Sequence, residues 1–259
     1  MGTPFSDFRR FWNIPGTPQL VIIPVLALIL FLLLLSMVEQ RPEKLKPMRW
    51  LHTQVPEPSD ICMHPDRDTY FVVSDDGFLF EVDTLGRIIR KADYKGFDTE
   101  GVTVHGSKVY VIEEFTRKIR VFDLETLEME RTVSVPYAGG RNKAFESIAF
   151  NHARNCFVML TEKDPIFLVE LDASLNVNNE IDMDGIASDI SAATWHKEHL
   201  WLLSDEDMVV MKLDPKNYKI LNKWRVPIIN PEGIAFDRQG RMIIVSDDLE
   251  RFYYFKSPA

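Results

Sequence analysis

The chain is poor in cysteine and glycine, and its basic side chains are too few to balance its acidic ones. Two cysteines in 259 residues exclude a disulfide-rich scaffold and a zinc cluster with four cysteine ligands. We predict that both are buried and unpaired. Only 12 glycines exclude a collagen-like repeat. A net charge of −9 disfavours nucleic acid, so we expect no nucleic-acid partner.

One long run near the N-terminus has no charged side chain. Residues 20–38 form this run of 19 residues, which spans a bilayer at a helical rise of about 1.5 Å per residue. We predict a short N-terminal segment over 1–18, a single transmembrane helix over 19–38 and a linker over 39–48. The run lacks a small-x-small site at its end, which favours an uncleaved anchor. Basic residues lie on both sides, so counting charges leaves the orientation open.

Residues 49–259 contain a fivefold repeat. Each copy has an acid, a short apolar strand, a turn and a second apolar strand that ends in another acid, followed by a third strand. A period of 40–46 residues made of short strands is typical of a β-propeller. The copies are residues 59–83, 99–124, 145–172, 188–214 and 231–255.

Four-stranded blades are predicted from the segments between the repeats. Residues 87–94, 130–137, 178–184 and 222–228 are the candidate fourth strands. The last repeat lacks one, and residues 49–55 can supply it, which would close the ring and remove open sheet edges. The expected fold is therefore an all-β, five-bladed β-propeller whose N-terminal strand closes the last blade, preceded by a single transmembrane helix.

The repeated acids are the candidate site. Because the start of one strand and the end of the next share one end of a hairpin, the acids should ring one mouth of the central channel. The leading acids, predicted as ligands of a cation such as calcium, are Asp60, Glu100, Glu146, Asp189 and Glu232. Asp75 and further residues are expected near them, and the predicted ligand-binding residues are Glu113, Asn142, Lys143, Glu162, Lys163, Asp205 and Asp247.

Three interpretations of these acids stay open. They could cap turn N–H groups or link neighbouring blades, they could hold a cation, or they could act in catalysis. Repetition favours a structural role, because a unique active site needs only one copy. Glu162 and Lys163 carry opposite charges and are expected to form a wall for a polar ligand, or else a surface ion pair.

Four stretches resemble the SdiA-regulated family, and more loosely the NHL-type propeller repeats. They are residues 98–103, 142–149, 188–191 and 231–235. The resemblance covers about residues 50–259, and implies a β-propeller held outside the bacterial inner membrane, with its C-terminal domain in the periplasm. The resemblance therefore implies a fold and a cellular compartment, but it does not imply a reaction. Asp60 and Asp189 depart from it, because each stands in place of a glutamate.

Two functions follow from these observations. The first is a membrane-tethered binding or sensing module whose acidic face takes a cation, a small ligand or a protein. The second is a calcium-dependent hydrolase of the lactonase or phosphoesterase kind. We favour the first, because the sequence shows no nucleophile with a matching base.

Overall fold

The computed structural model describes residues 42–136 and 144–258, and all of their regular structure is β-strand. The predicted transmembrane helix over 19–38 and the candidates Asn142 and Lys143 lie outside these residues. Within the described ranges, no helix is long and apolar enough to cross a membrane. The first two strands are β1 (Glu43–Lys44) and β2 (Arg49–His52).

Five sheets follow one another along the chain as the blades of a propeller. Blade 1 consists of β3 (Pro58–Met63), β4 (Thr69–Ser74), β5 (Phe78–Asp83) and β6 (Ile88–Lys91). Blade 2 consists of β7 (Thr99–His105), β8 (Lys108–Glu113), β9 (Lys118–Asp123) and β10 (Met129–Ser134). Blade 3 consists of β11 (Phe145–Asn151), β12 (Cys156–Thr161), β13 (Phe167–Leu171) and β14 (Val177–Asp182). Blade 4 consists of β15 (Ala192–His196), β16 (His199–Ser204), β17 (Val209–Leu213) and β18 (Ile220–Arg225). Blade 5 consists of β19 (Pro231–Phe236), β20 (Met242–Ser246), β21 (Arg251–Phe255) and β2.

The last blade takes its outer strand from the N-terminal side of the domain. β2 pairs antiparallel with β21, with Arg49 opposite Tyr254 and His52 opposite Arg251. This pairing confirms the predicted closing strand and the five four-stranded blades. β1 lies within the segment 39–48 that the sequence assigns to a linker, and it pairs in parallel with β18.

The core is divided among the contacts between blades. Five clusters of buried apolar side chains each join two neighbouring blades. One of them packs Val72 and Phe80 of blade 1 against Ile243 and Tyr254 of blade 5, so the ring is closed by burial as well as by β2. The outer strands β10 and β14 are mostly exposed. Both cysteines are free and buried, as predicted.

A β-bulge shapes the beginning of the innermost strand in four blades. The register shifts there by one residue, which leaves one residue unpaired and re-aims its side chain. The bulged residues are Ser59, Glu100, Glu146 and Glu232. In blade 4 the first strand begins only after this position, where Ala192 pairs with Leu203, so Ser191 holds the equivalent position.

Candidate functional site

The five bulge positions meet at one mouth of the channel. Glu100, Glu146 and Glu232 line a cavity there of about 330 Å³, and blades 1 and 4 contribute Ser59 and Ser191 instead. The expected ring of five leading carboxylates is therefore a ring of three glutamates and two serines. The register explains the difference, because Asp60 lies one residue after the bulge position and Asp189 two residues before it.

A second ring comes from the residue that follows the second strand of each blade. All five of these residues are acidic, and all five line the same cavity. They are Asp75, Glu114, Glu162, Asp205 and Asp247. Three of the predicted ligand-binding residues, Glu162, Asp205 and Asp247, thus lie where the repeat places them. In blade 2 the position belongs to Glu114, and the predicted Glu113 lies outside the cavity.

Eleven carboxyl side chains in all surround this acidic mouth, and Lys163 is the one cationic side chain among its described lining residues. Nζ of Lys163 lies 2.5 Å from Oε1 of Glu162 and 2.9 Å from Oε1 of Glu206. The predicted wall of opposite charges therefore lines the cavity, with the lysine already paired. The other lining acids are Asp98 and Asp189.

Asp60 is a buried link between blades. It is fully buried, and its Oδ2 accepts a hydrogen bond of 2.8 Å from the backbone N–H of Val102 in blade 2. Backbone N–H groups of Ile61 and Ile234 also favour its ionised form, although burial dominates and raises its pKa well above the ordinary value. This is the structural interpretation of the repeated acids, and it fits Asp60 better than a role as a metal ligand.

Glu113 points into blade 2. Its carboxylate accepts hydrogen bonds from Tyr94, from Thr116 and from Nε of Arg120, the last at 2.9 Å. Burial opposes ionisation of this side chain, but the hydrogen bonds from Arg120, Thr116 and Tyr94 outweigh it and lower the pKa of Glu113. Its partners are complete without a ligand, so Glu113 stabilises the blade.

Asp189 lines the acidic mouth, but its carboxylate oxygens accept hydrogen bonds from a turn. Its carboxylate accepts hydrogen bonds from Oγ of Ser204 at 2.5 Å and from the N–H groups of Asp205 and Glu206, both at 3.1 Å. Burial still raises its pKa above the ordinary value. Asp189 therefore holds the loop that carries Asp205.

Four glutamates of the mouth resist ionisation. Burial, with Asp205 and Asp247 adding repulsion, raises the pKa of Glu232 to about 8. Burial and Asp98 raise the pKa of Glu114 to about 7. The pKa values of Glu100 and Glu146 are also well above the ordinary range, first through burial and then through neighbouring carboxylates. Without a cation, the mouth must therefore retain protons at neutral pH.

One group of acids is close enough to share a metal ion. Asp75, Asp98 and Glu100 each offer one carboxylate oxygen, and these oxygens lie within 4.8 Å of one another. Burial and then the hydrogen bond with Asp98 raise the pKa of Asp75 to about 6. Oxygen ligands from carboxylates suit a hard cation such as Ca²⁺. The neighbouring hydroxyl of Ser59 lines the same cavity.

Four lining residues were not candidates from the sequence: Ser59, Asp98, Glu114 and Glu206. Ser191 belongs to residues 188–191, whose hydroxyl and carboxylate groups the sequence places at this rim. Asp98 could have been found, since it lies two residues before Glu100 at the start of the same strand. Glu114 could not be distinguished from Glu113 by its spacing. Ser59 carries no charge, so a search for repeated acids does not find it.

The fold and the site define a five-bladed propeller with an acidic channel mouth. The chain matches the family model described as SdiA-regulated over residues 45–256, and it belongs to that family. No curated protein shows significant sequence similarity to it. The crystal structure of Myxococcus xanthus glutaminyl cyclase is similar in fold, with a TM-score of 0.67 over 83% of this chain and 97% of that chain, at 13% identity.

Proposed function

We propose that this protein is a binding or sensing module that holds a calcium ion at its acidic mouth. The observation that supports this is the convergence of Asp75, Asp98 and Glu100, within a cavity that receives carboxylates from all five blades. Ca²⁺ accepts six to eight oxygen ligands with flexible geometry, which fits carboxylates from separate blades. The bound ion would then present a face to a small ligand or a protein.

The raised pKa values support a cation over a purely structural role for the mouth. Acids that only stabilise a fold are usually ionised and paired, as Glu113 is with Arg120. Glu114 and Glu232 have instead pKa values near or above neutrality, because they are buried beside other acids. A divalent cation would replace the retained protons and relieve the repulsion.

Calorimetric titration of the full chain with CaCl₂ tests the site. We expect one saturable binding event, weakened at least about tenfold by Asp98→Asn and by Glu100→Gln because each removes a charged ligand. Glu130→Gln is the matched control, since this side chain lies on the exposed outer strand β10 and pairs with Lys108. No binding by the unsubstituted protein, or equal binding by all four proteins, would refute the calcium site.

We also propose that residues 19–38 anchor the propeller in the inner membrane, with the C-terminal domain in the periplasm. The uncharged run of residues 20–38 supports the anchor, and the family resemblance supports the side. Fusion of alkaline phosphatase after residue 259 should give an active enzyme, and fusion of a cytoplasm-dependent fluorescent protein should stay dark. The opposite pair of results would overturn the orientation.

A calcium-dependent hydrolase is the second candidate function. Glu114 favours it, because an acid with a pKa of about 7 at the edge of a cation site can donate and accept protons at neutral pH. A fold of this kind is also found in a glutaminyl cyclase. Turnover of an ester and lactone panel that needs calcium, and is lost in Glu114→Gln even at saturating calcium, would support this candidate. No turnover on the panel would contradict the hydrolase and favour the binding module.

A further inference from the structure

A second cavity lies at the other end of the channel. Its rim is formed by one residue from each innermost strand, about 13 Å along the strands from the bulge positions. We name these five residues the apolar collar: Met63, Val104, Phe150, Trp195 and Phe236. The cavity that they surround has a volume of about 130 Å³.

Stacked rings hold the walls of the collar in place. The imidazole of His105 in blade 2 stacks on Phe150 of blade 3, with ring centroids 3.5 Å apart. His196 of blade 4 stacks on Phe236 of blade 5 at 3.9 Å and an interplanar angle of 2°. Each stack joins two blades, so the aromatic walls are preformed and would not have to be ordered by a ligand.

Uncharged polar residues also line this cavity. Thr103 of blade 2 and Thr194 of blade 4 line it, together with His152 of blade 3. No described residue forms a hydrogen bond with either threonine hydroxyl. Burial lowers the pKa of His152, which leaves its imidazole neutral at neutral pH. Among the described lining residues none carries a formal charge, in contrast to the acidic mouth.

The size and chemistry of the cavity restrict the ligand. A cavity of about 150 Å³ lined by apolar side chains accommodates a benzene molecule, so a volume of about 130 Å³ fits a single ring. The aromatic walls favour edge-to-face or offset contacts with another ring. Unpartnered hydroxyls favour a ligand with one hydrogen-bonding group, since a purely apolar ligand would leave them dry and unsatisfied.

We propose that the apolar collar is a binding site for a small uncharged molecule with one aromatic ring and a hydroxyl group. Phe150, Trp195 and Phe236 would contact the ring, and Thr103 and Thr194 would bond to the hydroxyl. The site uses none of the residues of the acidic mouth, so it does not depend on the calcium proposal.

Fluorine NMR of the full chain, labelled with 5-fluorotryptophan, tests the proposal with phenol as the probe. The chain has five tryptophans, and Trp195→Phe assigns the resonance of Trp195. We expect phenol to shift that resonance in a saturable way, while the resonance of Trp50 on the outer strand β2 stays in place. No shift of Trp195 at phenol concentrations up to about 10 mM would overturn the site, because a preformed pocket of this size should bind more tightly.

Altered ligands and protein variants test separately the contacts to the aromatic ring and the hydrogen bonds to the hydroxyl. Toluene lacks the hydroxyl and cyclohexanol lacks the aromatic ring, so both should bind more weakly than phenol. The double variant Thr103→Val, Thr194→Val keeps the shape and should weaken phenol roughly three- to tenfold, bringing it close to toluene. Thr132→Val on the exposed strand β10 is the control and should bind phenol as the unsubstituted protein does.

A filled cavity gives the last check. Val104→Phe should abolish the phenol-induced shift of Trp195, while the other fluorine resonances report that the propeller is still folded. If this variant does not fold, the double threonine variant still decides the outcome. A shift that persists in folded Val104→Phe, or toluene binding as tightly as phenol to the unsubstituted protein, would refute the assignment.

Discussion

At the scale of single residues, two neighbouring glutamates in blade 2 have opposite roles. Glu113 is buried, paired with Arg120 and hydrogen-bonded by Tyr94 and Thr116. Glu114 faces the acidic mouth, where its Oε1 accepts a hydrogen bond of 2.8 Å from the N–H of Ala144. Side chains of consecutive residues at a strand end point in opposite directions, so one residue of offset separates a structural acid from a site acid.

Substitution of each glutamate should separate stability from binding. Glu113→Ala should lower the free energy of unfolding by about 3 kcal/mol, because it leaves Arg120 without its buried partner, and should leave calcium affinity almost unchanged. Glu114→Gln keeps an acceptor for Ala144, so it should reduce calcium affinity without loss of stability. Urea denaturation and calorimetry measure the two effects. Equal loss of affinity in both variants would contradict the assignment.

The acids of the mouth should also give the calcium-free protein an unusual dependence on pH. Glu114 and Glu232 have pKa values of about 7 and about 8 when folded, against about 4.3 for an unperturbed glutamate. Between these values the folded state binds more protons than the unfolded state, so the free energy of unfolding should fall as pH rises. Half-buried histidines such as His196, whose pKa is lowered to about 4, act in the opposite direction, but only below their ordinary value of about 6.5.

Above about pH 6.5 the histidines no longer contribute, so the pH dependence of stability reports the acids of the mouth. Urea denaturation should show stability decreasing between about pH 6.5 and 8.5 without calcium. Saturating calcium should flatten this decrease, because the ion displaces the same protons. Glu232→Gln should reduce the slope in the absence of calcium. A calcium-free protein whose stability rises across this window would contradict the raised pKa values.

At the scale of elements, the β-bulge decides which residues face the mouth. The alternation of strands and the positions of the fourth strands were predictable, because short apolar runs and turns repeat through the sequence. The bulge was not, since it adds one residue without a distinctive sequence signal. Aligning the repeats on their acids therefore selected Asp60, which links two blades, and missed Ser59, which faces the cavity.

In blade 5 the residue after the bulge is restricted by the neighbouring blade 1. A Cβ added to Gly233 would lie 2.8 Å from Cα of Asp60 and 3.0 Å from N of Ile61, so backbone would have to move. Gly233→Ala should therefore lower the free energy of unfolding by about 1–3 kcal/mol and weaken calcium binding through the adjacent Glu232. Denaturation and calorimetry measure both effects.

Gly185 provides the comparison. It has a φ of +79° but no atom within 4 Å of an added Cβ, so Gly185→Ala should cost only the backbone strain of about 1 kcal/mol. Its calcium affinity should equal that of the unsubstituted protein. If Gly185→Ala affected calcium binding as strongly as Gly233→Ala, close approach between blades would not be what positions Glu232.

At the scale of the whole molecule, stability depends on neighbours around a closed ring. Each of the five apolar clusters belongs to two blades, so no blade has a core of its own. The closing strand was predictable because the fifth repeat lacks a fourth strand and residues 49–55 remain unused. β1 was not, because it pairs with β18 over only two residues, too few to show a strand pattern in the sequence.

This dependence makes the closing strand β2 a test of cooperativity. Leu51 packs on the cluster shared by blades 1 and 5, whereas its neighbour Trp50 is half-exposed and lies under Arg251. Leu51→Asp should lower the free energy of unfolding by about 3 kcal/mol, because a charge replaces a packed side chain. Trp50→Ala should cost only about 1 kcal/mol, the worth of an exposed cation–π contact.

For Leu51→Asp, the number of unfolding transitions is more informative than the midpoint. Because blades 1 and 5 share a core and each further blade shares one with the next, Leu51→Asp should still unfold in a single transition. Tryptophan fluorescence, which includes the stacked pair Trp201 and Trp224 in blade 4, should then change together with far-ultraviolet circular dichroism. An early transition in circular dichroism with the fluorescence still native would mean that blade 5 opens alone. In that case the apolar contacts between blades would stabilise the ring less than the five clusters indicate, and the closing strand alone would hold blade 5 in place.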